Sequence, residues 1–500
     1  MRSYVFLSNF AICSAFIGRF MLKFNDFGRV EELATPFWYY DMDVFRKTVK
    51  LAASLSERYG IGAHYALKAN VEPRLVSYIA SKGFGADCVS GNEVKYAVES
   101  GFARSSIVFA GVGKSDKEIS DALDLGIGCF NVESLMEMQV IDALAASKGV
   151  RANVSLRINP NIDAHTHRYV TTGLYENKFG ISRHEFEAAI DILKSSKALD
   201  FKGLHFHIGS QITDVEPVYS LECERAAEIV EWFEAHGMEV GSIDLGGGLG
   251  VDYDEPDENP VPDFEKWFSI IDRKLRRRLE QSVSIEPGRS MVAQCGSLIT
   301  RVLFVKSGET KTFLIMDAGM NDLIRPALYG AYHKIENLSA HYARTETSES
   351  EDLTRHHQMP GRSWRTGEPC GDGKPVGRDR PLEKGVGGIE TRHHQMPAGE
   401  QRSGGLALGC ARRPDRPLEK GVGGIENDIV NCSQSERLYD IVGPVCESSD
   451  VWGEGRELPY SKRGDILAIR STGAYGSVMS SRYNLRDLAP AVFSDDLKLK

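Results

Sequence analysis

Between residues 36 and 290 apolar and polar positions alternate between two textures. Short β-rich runs are IGAHYALKA (61–69), GADCVS (85–90), SIVFAG (106–111) and GCFNVES (128–134), then ANVSLRI (152–158), KGLHFHIG (202–209), SIDLGGG (242–248) and SVSIEPG (282–288). Between them lie SLMEMQVIDALAAS, HEFEAAIDILKSS and PVYSLECERAAEIVEWFEAHG, with apolar residues at every third or fourth position and charges on the other face. That spacing predicts amphipathic helices. One more, DVFRKTVKLAASLSERYG, precedes the first run. Eight strands joined by seven helices, with one helix in front, over roughly 250 residues is the arithmetic of a (β/α)8 TIM barrel. An open doubly wound sheet has the same count, because counting does not show closure. A barrel places functional residues at the carboxyl ends of its strands. Lys68 ends the first, His207 the sixth, Gly246 to Gly248 the seventh and Glu286 the eighth.

After residue 290 the texture changes. GSLITRVLFVKSG, KTFLIMDAG, YDIVGPVCES and GDILAIRSTGAYG are β-rich with few helical intervals. The expected organisation is a (β/α)8 barrel over 45–290 and a mainly antiparallel β-barrel or sandwich domain over 291–500. The segment 21–44 is expected to join the β domain through PFWYYD. Residues 1–20 are basic and then apolar, but Ser8, Asn9 and Ser14 interrupt the run and it is too short to span a bilayer. They read as an extended start or disordered leader, with Met21 as a second plausible start.

Composition narrows the function. A net charge of -10 over 500 residues argues against nucleic-acid binding, which needs a basic surface. No stretch reads as a membrane span, and nine scattered cysteines without a CxxC pair suit a reducing cytoplasm.

The candidate chemistry is an amine, an anion cradle, a flat ring and an acid. Lys68 closes an apolar run, HYALKAN; burial of an ammonium lowers its pKa and frees a nucleophile, while a strand-end lysine with its head in water is the ordinary alternative. Consecutive glycines in LGGGLG let backbone N–H groups approach a phosphate, or simply make a tight turn. Period-two alternation puts His205 and His207 on one face of a strand. No carboxylate or cysteine stands at ligand spacing beside them, so no metal is expected: His207 suits stacking on a flat ring and His205 suits core packing. EPGRS adds Glu286 and Arg289 around a rigid turn. Together these are what pyridoxal phosphate requires: a lysine for its carbonyl carbon and an acid for its ring nitrogen.

The chain resembles the alanine-racemase-like (fold type III) pyridoxal-phosphate decarboxylases, and within them the branch acting on meso-diaminopimelate. The resemblance lies in YALKAN (65–70), GADCVSGNE (85–93), NVES (131–134), RINP (157–160), DAHTHRYVTTG (163–173), NKFGI (177–181) and HFHIGSQ (205–211). It continues through DLGGGLG (244–250), EPGRS (286–290), DAGMNDLIRPALYGAYH (317–333), GPVCESSD (443–450) and GAYGSVMSSRYN (473–484). The resemblance implies that Lys68 carries the cofactor as a Schiff base, His207 stacks on its ring, and Gly246, Gly247 and Gly248 hold its phosphate. It also implies that Glu286 faces the ring nitrogen, that Gly288, Arg289 and Tyr475 belong to the cofactor site, and that Arg289, Arg325, Tyr329 and Tyr475 contact substrate. Cys446 is implied as proton donor and Glu447 as reader of the distal ammonium, both serving the other protomer of a homodimer. The implied product is L-lysine. Two alternatives stay open: a decarboxylase of ornithine, arginine or carboxynorspermidine, and a non-catalytic homologue. Arginines suited to a distal carboxylate speak against the first, and the presence of Lys68 and Cys446 against the second.

One interval departs from the pattern. Residues 341–430 contain a duplication, 354–390 and 391–426, in which TRHHQMP and DRPLEKGVGGIE each occur twice. Glycine and proline make up roughly a third of it, the range of low-complexity sequence. A zinc module from His356, His357, His393, His394, Cys370 and Cys410 is the sharp alternative, but the two cysteines fall out of register between the copies. The expectation is a disordered surface insertion. Looped out, it costs little closure entropy; pressed on the dimer edge, it misplaces Cys446.

Overall fold

The computed structural model describes residues 24–160, 162, 178–275, 280–343 and 436–498. The leader 1–20 and both copies of the duplication lie outside these. Residues 341–343, the first of the expected interval, are helical, and Tyr342 packs on Phe27 with ring centroids 4.8 Å apart.

Strand β1 (Phe37–Tyr40) is followed by the helix Met42–Tyr59. Local chemistry sets both of that helix's ends. The Asp41 side chain accepts from the N–H groups of Asp43 and Val44 at 2.9 and 3.0 Å, and Gly60 ends the helix at φ 60°. The barrel strands come next: β2 (Ile61–Ala66), β3 (Gly85–Cys88), β4 (Ile107–Phe109) and β5 (Cys129–Val132). They continue as β6 (Ala152–Arg157), β7 (Leu199–His205), β8 (Ser242–Asp244) and β9 (Ser282–Ile285). Each lies parallel to the next, and β9 pairs with β2 through Ile61 and Val283. The sheet is therefore closed, as the barrel reading expects, and the open alternative is excluded.

Helices connect the strands, and three of their starts repeat one device. Ser90, Ser115 and Ser134 each accept from the N–H of the glutamate three residues on. The helix Val215–Ala235 turns Tyr219, Ala226, Ile229, Val230 and Phe233 inward, and Trp267 of the helix Phe264–Lys274 packs on Tyr219 at 5.2 Å. No helix among the described residues is long and apolar enough to cross a membrane.

The second sheet holds β10 (Gly296–Ser307), β11 (Thr312–Met316), β12 (Ile335–Asn337), β13 (Glu436–Val442), β14 (Val451–Pro459), β15 (Ile466–Ile469) and β16 (Ala491–Phe493). Its order is β12-β15-β10-β11-β13-β14, with β1 paired antiparallel to β10 and parallel to β16. Pairing is mainly antiparallel, as expected; β11–β13 is also parallel.

Trp267 is fully buried between barrel helices. Its replacement by Ala should cost about 3–5 kcal/mol in urea unfolding. A loss under about 1 kcal/mol would show that the helix layer repacks freely around the gap.

Candidate active site

The strand ends converge on one cavity of about 890 Å³, lined by Lys68, His207, Gly248, Glu286, Gly288, Arg289, Arg325, Tyr329 and Tyr475 among others. Residues from six separated stretches of sequence meet there. Lys68 is not the last residue of its strand: β2 stops at Ala66 and Lys68 sits in the 3-10 turn Leu67–Ala69. Its Nζ lies 3.6 Å from Asp87 Oδ2, at the end of β3. Asp87 is buried, and neither of its carboxylate oxygens has a hydrogen-bond partner among the described residues. Burial pulls the Lys68 pKa down, but the charge of Asp87, followed by Tyr475 and Glu286, outweighs it and leaves the group above its ordinary value. Of the two readings left open for this lysine, burial alone therefore does not decide its charge. A neighbouring strand supplies a counter-ion that the linear sequence hides.

The two histidines also part company. β7 ends at His205, so His205 and His207 do not share a strand face. His205 points into the barrel, with Nε2 3.2 Å from Glu286 Oε2. His207 meets the glycine loop, where its Nδ1 accepts from the Gly247 N–H at 3.2 Å. An accepting ring nitrogen means a neutral ring. Burial, followed by the charges of Lys68 and Arg157, holds the His207 pKa well below its usual value.

Behind Glu286 lies a buried polar network. Asn131 donates to Glu286 Oε1 at 3.4 Å. Asp244 accepts from the Gly246 N–H and from Ser284 Oγ, both at 2.8 Å, and its Oδ2 is 3.6 Å from His64 Nδ1. Burial, then Asp87, raises the Glu286 pKa against the opposing pull of His205. His205, Asp244 and Glu286 bring ligand-type atoms within 4.8 Å of one another, so carboxylates do accompany His205 in space. Asp244 comes from the adjacent strand β8 and Glu286 from just past β9, two places round the barrel, which spacing along one strand could not show. Their oxygens are engaged by these protein donors.

The glycine loop is tight against its own scaffold. A Cβ on Gly246, Gly247 or Gly248 would stand 2.4, 2.2 and 2.6 Å from the carbonyl oxygens of Phe206, Glu286 and Gly209. Two of the three N–H groups are used internally, by Asp244 and His207, and Gly248 is the member that lines the cavity. Gly288 packs under Lys68's turn, where a Cβ would be 3.0 Å from that of Ala66.

Two arginines line the same cavity. Arg289 Nη1 and Arg325 Nη1 both donate to Tyr253 Oη, at 2.6 and 3.1 Å. Ser210 Oγ accepts from Nε and Nη2 of Arg289 at 3.2 and 3.0 Å. The guanidinium of Arg289 lies 5.0 Å from the Tyr475 ring. Tyr475 arrives from the β domain with φ 57°, held by its N–H on the Ala69 carbonyl at 2.8 Å. Cys446 is exposed, and neither it nor Glu447 lines this cavity. Glu447 lines a separate depression with Met320, Asn321 and Tyr483.

Asp87, His64, Asp244, Asn131, Ser210, Tyr253 and His333 escaped the sequence reading. Asp87, Ser210 and His333 stand within the motifs GADCVSGNE, HFHIGSQ and RPALYGAYH, and Tyr253 follows LGGGLG by three residues. Proximity to a motif was their only signal.

The residues present fit pyridoxal phosphate. An amine, a neutral ring and a buried acid share one cavity, and the amine faces a carboxylate that no protein hydrogen bond satisfies. This is the equipment of a pyridoxal-phosphate enzyme built on a barrel. The comparisons agree. The family described as pyridoxal-dependent decarboxylase, pyridoxal binding domain, matches residues 43–293, and the C-terminal sheet domain of the same decarboxylases matches 417–473. Diaminopimelate decarboxylase of Bacteroides thetaiotaomicron is 41% identical over 93% of this chain and 97% of its own. The enzyme of the same name from Aquifex aeolicus is 32% identical over 87% and 81%. The structure of Helicobacter pylori diaminopimelate decarboxylase complexed with L-lysine superimposes with TM-score 0.69 at 33% identity, covering 94% of both chains. The chain belongs to the pyridoxal-dependent decarboxylases, in their diaminopimelate decarboxylase branch. It is a carboxy-lyase, and its cofactor is pyridoxal phosphate.

Gly247→Ala sets a methyl group against the Glu286 carbonyl. It should weaken retention of the cofactor by at least about tenfold, a loss of about 1.4 kcal/mol, read from visible absorbance after dialysis. Unchanged retention would show that the loop yields without moving Glu286.

Proposed function

We propose that this enzyme decarboxylates meso-diaminopimelate to L-lysine, acting as a homodimer in the cytoplasm. The observation that carries the substrate is a pair of arginines: Arg289 and Arg325 are buried, line the same cavity as Lys68, and have no carboxylate partner among the described residues. A carboxylate that leaves as CO₂ gains nothing from a guanidinium, since a charge pair made in the ground state and lost in the transition state raises the barrier. The arginines therefore suit a second, non-reacting carboxylate. Diaminopimelate has one, and ornithine does not.

Pyridoxal phosphate supplies an electron sink for the bond that releases CO₂. The chain's own residues do the rest. Lys68 Nζ would hold the cofactor through its carbonyl carbon. His207 presents a neutral flat face that would lie against its ring, and the turn of Gly246, Gly247 and Gly248 with Gly288 would receive its phosphate end. Glu286, backed by His205, would face its ring nitrogen. Tyr329 and Tyr475 complete the wall around substrate.

Protonation of the product carbon falls to Cys446 Sγ, and recognition of the distal ammonium to Glu447. Their position outside the cavity supports a shared site, in which Cys446 of the partner subunit and Glu447 of the partner subunit face Lys68. A cytoplasmic home fits the five described cysteines, all unpaired thiols.

The purified chain with pyridoxal phosphate should form L-lysine from meso-diaminopimelate, and a chain lacking residues 354–426 should do so as well. Activity in the shortened chain alone would identify the duplication as damaging; activity in neither would sink the substrate assignment. Lys68→Ala should abolish both turnover and the absorbance of the bound cofactor. Lys68→Ala and Cys446→Ala, each inactive alone, should regain activity when mixed. No recovery in mixed dimers would remove the shared-site reading.

A further inference from the structure

Buried arginines in this chain are paired with acids. Arg157 meets Glu133 at 2.7 Å, and Arg470 meets both Asp257 and Glu336. Arg289 and Arg325, only 6% and 8% exposed, have no such partner among the described residues. Two adjacent guanidiniums out of water repel each other and lose solvation.

What holds them is uncharged. A guanidinium only donates, so Tyr253 Oη accepts from both arginines and spends its lone pairs on them. The Tyr253 ring lies 6.0 and 5.5 Å from the two guanidinium carbons, within reach of a cation–π attraction. Arg325 Nη1 also donates to His333 Nε2 at 3.1 Å, which places the ring hydrogen on Nδ1, where it meets the Arg470 carbonyl at 2.8 Å. That histidine is neutral as well: burial, then Arg325, takes its pKa down to about 3. Its ring stands edge-on to Tyr253, with centroids 5.1 Å apart. Although burial pushes the Tyr253 phenol up, Arg289 and Arg325 overcome it and hold the group below its usual value.

We propose that Tyr253 is a positioning residue for the distal carboxylate: one hydroxyl fixes the spacing of Arg289 and Arg325 without neutralising them, leaving a two-guanidinium socket that selects a dicarboxylate amino acid. This rests on the diaminopimelate reading and deepens it. An Asp or Glu in the same place would pair with the arginines and cancel the charge that the substrate's second carboxylate must find. A hydrophobic residue would leave them to repel and splay. Tyrosine does neither.

Tyr253→Phe keeps the ring and its packing and removes only the acceptor. For the variant holoenzyme, KM for meso-diaminopimelate should rise about 10- to 100-fold, as for loss of a hydrogen bond to a charged group, with kcat within about threefold. Pimelate, the same dicarboxylate skeleton without amines, should inhibit more weakly by a similar factor, while the absorbance of the bound cofactor stays unchanged. An unaltered KM, or loss of the cofactor absorbance together with affinity, overturns the positioning role. A wild-type enzyme that neither turns over meso-diaminopimelate nor is inhibited by pimelate overturns the substrate reading, and the proposal with it. Wild-type activity with an unaltered Tyr253→Phe overturns the proposal alone.

Discussion

The Asn70 amide, two residues past Lys68, ties the barrel to the β domain. Its Nδ2 donates to the Gly473 carbonyl at 2.7 Å and to Tyr40 Oη at 3.0 Å, and its Oδ1 accepts from the Glu72 N–H at 2.8 Å. The next carbonyl back, Ala69, receives the Tyr475 N–H. One buried side chain and one backbone bond therefore fix the lysine turn, β1 and the tyrosine loop after β15 in a single frame. Everything that closes the cavity from the β side depends on that frame. Gly473 has no room to move within it, since a Cβ there would sit 1.9 Å from the Val292 carbonyl. Rigid backing of this kind lets a site use strained conformations, such as the left-handed φ of Tyr475.

Asp87, Glu286 and Asp244 gather near Lys68 with His64 and His205 among them, and Arg289 and Arg325 line the same cavity. Buried charge is expensive unless it is answered. Histidines and a lysine answer the acids inside the protein. Arg289 and Arg325 have no carboxylate partner among the described residues, which leaves that answer to a ligand.

The barrel was legible because its signal is local. Period-two and period-3.6 patterns are written in consecutive residues, and eight repetitions leave little ambiguity beyond closure itself. Lys68, His207, Glu286, Arg289, Arg325, Tyr329 and Tyr475 were legible through their motifs, and all seven line the cavity. What failed was whatever depends on neighbours across strands. The Lys68 charge is set by Asp87, nineteen positions later, and the setting of His205 by Glu286, on a strand two places round the barrel. The alternation rule for His205 and His207 failed where the strand ended sooner than its apolar pattern. Tyr253 was invisible because nothing in a lone tyrosine after a glycine loop announces two arginines that arrive from 36 and 72 residues further on.

The order of strands in the β domain sets what the link between β12 and β13 must span. β12 and β13, consecutive in sequence, stand four places apart in the sheet. With strands about 4.8 Å apart, a link between them covers roughly 19 Å, which about six extended residues can reach. The fold thus demands a crossing at this point and sets only a lower bound on its length. The strand order sets no upper limit on that crossing, and the duplication between 354 and 426 falls within it.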